Sequence, residues 1–253
     1  MTPLREGGSL PAIVEADDCG LYVLKFRGAG QGPLALVAEL VSGEIGRALG
    51  LRVPELVLME VDSALGRNEP DYEIRELLLA SDGLNLALDY LPGSVMFDPA
   101  VRLPEGAVDP RIASTAVWFD AFVTNIDRTA RNPNLLWWHK ALYFIDHGAS
   151  LYFHHSWEDV EQKALRPFPP IRDHVLLKWA SEIASVDEVV RPLLTECLLA
   201  EILRQVPDAW LLPELGLATP DDKRRGYLAY FLSRLNGSPL FVEEALRARA
   251  AIV

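Results

Sequence analysis

The stretch from Asn125 to Gly148, NIDRTARNPNLLWWHKALYFIDHG, constrains this chain more than any other, because two polar clusters flank two short apolar runs. If Leu135–Trp138 and Leu142–Ile145 pair across a tight turn at His139 and Lys140, they form one hairpin. Its open end then draws Asp127, Asn132, Asn134 and Asp146 within reach of one another. Carboxylates and amides gathered in this way suit a divalent cation and phosphate oxygens.

The chain before this stretch reads mainly as strands. Ala12–Val14 and Leu21–Phe26 alternate as a hairpin should, behind a glycine-rich entrance, with Lys25 inside the second strand. A lysine in mid-strand ordinarily points to solvent, since the two faces of a strand alternate. After GAGQG at 28–32, Leu34, Val37, Val41, Ile45 and Leu49 recur at steps of three and four. That spacing predicts a helix with one buried face, stopped at Gly50. Glu39 on this helix is either solvated or the partner that holds Lys25 near a phosphate. A strand at 56–61, a helix at 71–80 and a strand at 84–91 follow, ending at Pro92-Gly93.

Residues 92–110, rich in proline and glycine, read as the passage between two lobes, 1–91 and 92–253. Beyond it the character is helical. Ile112, Ala116, Phe119 and Val123 form a stripe that runs directly into Asn125 and Asp127. Residues 149–170 read as a loop-rich crossing of the surface, and helices are expected near 172–184, 187–206, 220–235 and 239–251. The fold class is therefore α+β, with a small β-rich first lobe and a mostly helical second one. His154-His155 make a poor chelate by themselves, Trp118, Trp137 and Trp138 belong to the core, and Lys223-Arg224-Arg225 is a solvated helical face.

A net charge of -12 repels nucleic acid and anionic membrane, so neither is expected as a partner, and a bound nucleotide must find local cations. No run approaches the roughly 20 apolar residues of a membrane span. The N-terminal residues lack the basic and apolar pattern of a secretory signal, and Cys19 and Cys197 stand far apart, which fits the cytoplasm.

Phosphoryl transfer needs magnesium held by carboxylates, a cation on the phosphates and a group that orients the acceptor hydroxyl. Asp146, before His147-Gly148, is placed to bind the metal, and Asp127 to orient the acceptor. An amide oxygen of Asn132 or Asn134 completes the metal shell.

The order of these features resembles the HipA-like kinases, a bacterial branch of the protein-kinase-like and phosphoinositide-kinase-like fold. GGSLP at 7–11 is similar to that family's Gly-Gly-x-x-Pro loop, YVLKF to its strand lysine, AELVSGEIGRALGLRVPE to its first-lobe helix, and NIDRTARN and FIDHG to its catalytic and metal segments. The resemblance implies a protein kinase that uses ATP and magnesium on a Ser or Thr hydroxyl of an unidentified protein. Gly7, Gly8 and Ser9 then cover the phosphates, Lys25 contacts them, Glu39 anchors Lys25, Asp127 is the catalytic aspartate and Asp146 the main metal ligand. Asn132 matches the expected spacing from Asp127, whereas Asn134 directly precedes the apolar strand, so both remain candidates. Asp89, Tyr90 and Leu91 become the segment that grips adenine through its backbone. Thr129 stands where many relatives have a histidine. A pseudokinase that only binds nucleotide or acts as a scaffold, and a kinase of small molecules or lipids, are the alternatives.

Overall fold

The computed structural model describes residues 2–3, 10–30, 32–214 and 216–253. Five short strands form the first sheet: β1 (Thr2–Pro3), β2 (Ala12–Glu15), β3 (Leu21–Lys25), β4 (Leu56–Val61) and β5 (Gly83–Asp89). They lie in the order β1-β2-β3-β5-β4, with every pair antiparallel. A second, three-stranded sheet joins β6 (Val95–Met96), β7 (Leu135–Trp138) and β8 (Ala141–Phe144). The turn between β7 and β8 is the expected His139-Lys140 pair, with φ of 47° and 62°. Two successive left-handed residues match the twist of a two-residue hairpin.

Helix α1 (Pro33–Ala48) is expected to bury one face, yet from Leu36 to Gly46 nearly every residue is buried, including Glu39 and Ser42. The cause is its position as a middle layer: it packs on β4 and β5 on one side and on the helical body on the other. Its small residues permit this, since a Cβ at Gly43 would stand 2.5 Å from a methyl of Leu56. One continuous core accordingly joins Val37 and Val41 of α1 and Leu86 of β5 to Phe119 and Phe144. A smaller cluster, with Leu24, Val61 and Ala87, lies on the other face of the sheet beneath α2 (Tyr72–Ala80).

The helical body contains α3 (Pro110–Phe122), the short α4 (Val160–Ala164), α5 (Ile183–Val190), α6 (Glu196–Arg204), α7 (Pro220–Asn236) and α8 (Ser238–Ala250). Here several expectations are corrected. No helix fills 172–184; instead there are 3-10 turns at Pro169–Asp173 and Leu177–Trp179. Paired prolines open the first turn, and the ring Nδ1 of His174 takes the N–H of Leu176, which diverts the backbone from an α ladder. The helix expected over 187–206 is split into α5 and α6, because Pro192 has no N–H to continue it and Thr195 caps the next helix. Residues 149–170 do not simply cross the surface, since Phe153, His154, Ala164 and Phe168 are buried. Lys223 is not solvated either: it is buried, pairs with Glu214 at 3.1 Å and lies over the Trp157 ring. Trp118 is fully buried and His154 bonds the Tyr227 hydroxyl, both structural roles. No described helix is long and apolar enough to cross a membrane.

Candidate active site

Alternation along β3 sends Leu24 to the smaller cluster and Lys25 to the opposite face, where α1 lies. There the Lys25 ammonium, expected from its strand alone to face solvent, donates to Glu39 Oε2 at 2.6 Å and to Asp146 Oδ1 at 2.6 Å. Burial acts to lower the Lys25 pKa, but the two carboxylates outweigh it and hold the group above the ordinary lysine range. Asp146 follows β8 in a left-handed conformation, φ 55°. The Lys25 charge holds its carboxyl below the usual range, so it is ionised. Burial instead raises Glu39, whose Oε1 has no partner among the described residues. A single cation thus links a helix glutamate to an aspartate 121 residues further along the chain than itself.

The loop that carries Asp127 is built on the end of α3. The helix closes at Val123, Thr124 turns left-handed at φ 56°, and the Asn125 N–H returns to the carbonyl of Asp120 at 2.8 Å. The Asn125 side chain then bonds Asp120 through its nitrogen and takes the N–H of Asp127 through its oxygen. Asp127 presents Oδ2 to the amide of Asn132 at 2.7 Å and to that of Asn134 at 3.3 Å. Burial raises its pKa despite these donors, and the nearby Asp146 charge adds to the rise.

The two asparagines differ in setting. Asn132 is exposed; its side-chain amide donates to Asp127, and its backbone N–H to the Thr129 hydroxyl at 3.3 Å. Asn134 is buried, left-handed at φ 50°, and its nitrogen also reaches the carbonyl oxygen of Asp146 at 3.5 Å. With the nitrogen of Asn134 turned to these acceptors, its oxygen is the end left for another ligand. Among the described residues no three His, Cys, Asp or Glu side chains converge as a metal cage. One ionised carboxylate with neighbouring amides is a donor set that suits magnesium, which keeps waters and phosphate oxygens for the rest of its shell.

Beneath the loop is a buried network that sequence reading missed. Arg128, with no exposed side-chain surface, donates to Asp120 Oδ2 at 2.6 Å, to the carbonyls of Asn134 and Ile145 at 2.5 and 3.2 Å, and to His147 Nδ1 at 3.0 Å. His174 bonds the same Asp120 oxygen at 2.8 Å, and its backbone bridges Thr129. Arg128 therefore ties the Asp127 loop to the residues that flank the open end of the hairpin. The signal in the sequence was Asp120 itself, a lone carboxylate inside the apolar run AVWFDAFV. Burial and the Arg128 charge push His147 down to about 3, so its ring is neutral and can accept from Arg128.

At the end of β5 the N–H groups of Asp89 and Tyr90 donate to Glu55 and Leu21 at 2.9 and 3.0 Å, which leaves Leu91 with the N–H of that trio not engaged there. Gly7, Gly8 and Ser9 lie outside the described residues.

No curated protein matches the sequence. Among solved structures, the crystal structure of a Helicobacter pylori proinflammatory kinase, CtkA, is similar with a TM-score of 0.57 over 100% of this chain and 97% of that one. The identity is 13%, so the likeness is one of fold, a kinase-like fold. A family model described as HipA-like kinase matches residues 1–237. That match includes every residue from the strand lysine to the buried arginine beneath Asp127, and the chain belongs to the HipA-like kinase family.

Proposed function

We propose that the chain is an ATP- and magnesium-dependent phosphotransferase that acts on a serine or threonine hydroxyl of a protein. The observation that carries this reading is the pairing of Lys25 with both Glu39 and Asp146, beside the Asp127 carboxylate. In it, residues 1–91 and 92–253 are the two lobes and the nucleotide lies between them. Lys25 donates to phosphate oxygens while Glu39, fixed on the buried α1, keeps the ammonium from swinging away. Asp146 and the amide oxygen of Asn134 are the groups that would hold magnesium, with Asn132 engaged on Asp127. Bound magnesium supplies positive charge to phosphate oxygens as negative charge develops on them. Asp127 accepts the hydrogen bond of the acceptor hydroxyl and orients it, and its raised pKa favours taking up that proton. Gly7, Gly8 and Ser9 cover the phosphates, and adenine is held by the Leu91 N–H and the carbonyls of Asp89 and Tyr90. The family likeness supports a protein as the acceptor. Cys19 and Cys197 are exposed and free, which fits work in the reducing cytoplasm.

The test separates binding from transfer. Asp127→Asn should lower phosphate transfer by about 100-fold or more while a thermal shift with ATP and magnesium persists. Asp146→Asn should remove the magnesium-dependent part of that shift as well as transfer. Wild-type protein that shifts but transfers no phosphate to itself or to a protein acceptor would leave a nucleotide-binding module. Full turnover by Asp146→Asn would overturn the assignment.

A further inference from the structure

On the face of the sheet opposite Lys25 lies a groove of about 850 Å³. Its floor is apolar, made by Val14, Tyr22, Leu24, Val57 and Met59, with Leu65 and Leu78 as a side wall. Helix α2 covers only one end of this face, and Leu65 remains 65% exposed. Among the described residues, every charged one that lines the groove is acidic: Glu15, Asp17, Asp18, Glu60 and Glu69. None of the five makes an ion pair among the described residues.

One wall of the groove is also a sheet edge. Strand β4 pairs with β5 alone, and no other described backbone group bonds its outer side. The register shows which groups face outward. Because the Asp89 N–H donates to the carbonyl of Glu55, the backbone groups of Glu55, Val57, Met59 and Val61 turn toward β5. Those of Leu56, Leu58 and Glu60 therefore turn outward, and Leu58 is 47% exposed. An unpaired edge of six residues beside an apolar floor is a template for an added strand.

We propose that β4 and this groove form a docking site for an extended segment of a partner protein that carries lysine or arginine beside apolar residues. Main-chain pairing with Leu56, Leu58 and Glu60 supplies register, the apolar side chains reach Val57 and Met59, and the cations meet the acidic rim. A second copy of this chain fits poorly, since pairing through its own β4 would bring more carboxylates, Glu55 and Glu60, to the seam of a chain that carries a net charge of -12. The inference does not depend on nucleotide chemistry, because Leu24 and Lys25 point to opposite faces.

The test is a fluorescence-anisotropy titration of the full chain with a short fluorescein-labelled peptide that alternates lysine and valine. Saturable one-to-one binding is expected. It should weaken about tenfold or more when the peptide is N-methylated at alternate residues, and equally in the triple variant Glu15→Gln, Asp17→Asn, Glu60→Gln. A control triple that removes three exposed carboxylates elsewhere, Glu105→Gln, Glu158→Gln and Glu188→Gln, should bind as the wild type does. Circular dichroism checks that both variants keep the fold. The absence of binding, equal weakening by the two triples, or undiminished binding of the N-methylated peptide overturns the proposal. So does a concentration-dependent dimer that the groove triple disperses, which would assign the edge to a second copy.

Discussion

Lys25 shows how far a residue's role depends on what lies across from it. Period-two alternation predicts a solvated lysine, but the face it enters is occupied by α1 and by the end of β8, and both offer it carboxylates. Removing the cation leaves the buried Glu39 without a countercharge among the described residues. Lys25→Met should therefore cost roughly 3–5 kcal/mol of stability, and adding Glu39→Leu should restore much of it, read as urea midpoints. A double variant no more stable than Lys25→Met would show that Lys25 does not compensate the Glu39 charge. His154 gives a second residue-scale expectation. Burial, aided by the charges of His155 and Lys223, pushes it down to about 3, while its Nδ1 pairs with the Tyr227 hydroxyl at 2.9 Å. Above about pH 6.5 the ring is neutral in both folded and unfolded chains and pH has no effect through it. As pH falls below that value, the unfolded chain takes up a proton that the folded one refuses, so stability is lost. Between about pH 7 and about pH 5 the loss through this one ring is about 2 kcal/mol. His147 acts in the same sense and Glu39, raised by burial, in the opposite one, so the comparison with His154→Gln carries the expectation. The variant should lose about 2 kcal/mol less than the wild type over that range, and equal losses would contradict it.

At the scale of elements, the β7–β8 hairpin was legible because its two apolar runs are separated by a two-residue gap. Only its second strand moves by one residue, to Ala141–Phe144. Its turn also has a measurable weakness. His139 and Lys140 both adopt left-handed backbone, which costs an ordinary residue roughly 1–2 kcal/mol each. The pair His139→Asn and Lys140→Gly, suited to this turn, should raise stability by about 1 kcal/mol, allowing for the extra freedom glycine gives the unfolded chain. A lowered urea midpoint would mean that the two native side chains contribute contacts that outweigh the backbone strain. The network beneath the hairpin was not legible, for a physical reason. Asp120, Arg128 and His174 satisfy one another across 54 residues of sequence, and no periodicity reports a buried ion pair. The same network explains why 172–184 fails as a helix: His174 is held by Asp120 and bridged to Thr129, so the segment follows the Asp127 loop rather than its own helical propensity.

At the scale of the whole molecule, the strands, α1 and the order of the motifs could be read because each depends on local pattern, whereas α1's burial on all sides needs both layers in place. The sequence predicts a passage between two lobes of one kinase-like domain at 92–110, and a single core runs through α1, from Leu86 in the sheet to Phe119 in the helical body. Trp210 adds a direct tie, since its indole N–H donates to the carbonyl of Leu84 at 3.1 Å. Such continuity has a consequence for how the molecule opens. Backbone segments that share one core should exchange their amide hydrogens only in a common, near-global opening, while segments with few buried contacts open on their own. Helix α2 is of the second kind, with Leu78 its one buried residue, whereas every residue of α3 from Ala113 to Phe122 is buried. Native-state hydrogen exchange should accordingly find α1, β5 and α3 protected to a similar degree, with α2 exchanging at least about tenfold faster. If α1 and β5 instead exchanged with α2, the sheet layer would be a separate folding unit and the passage at 92–110 a true boundary between them.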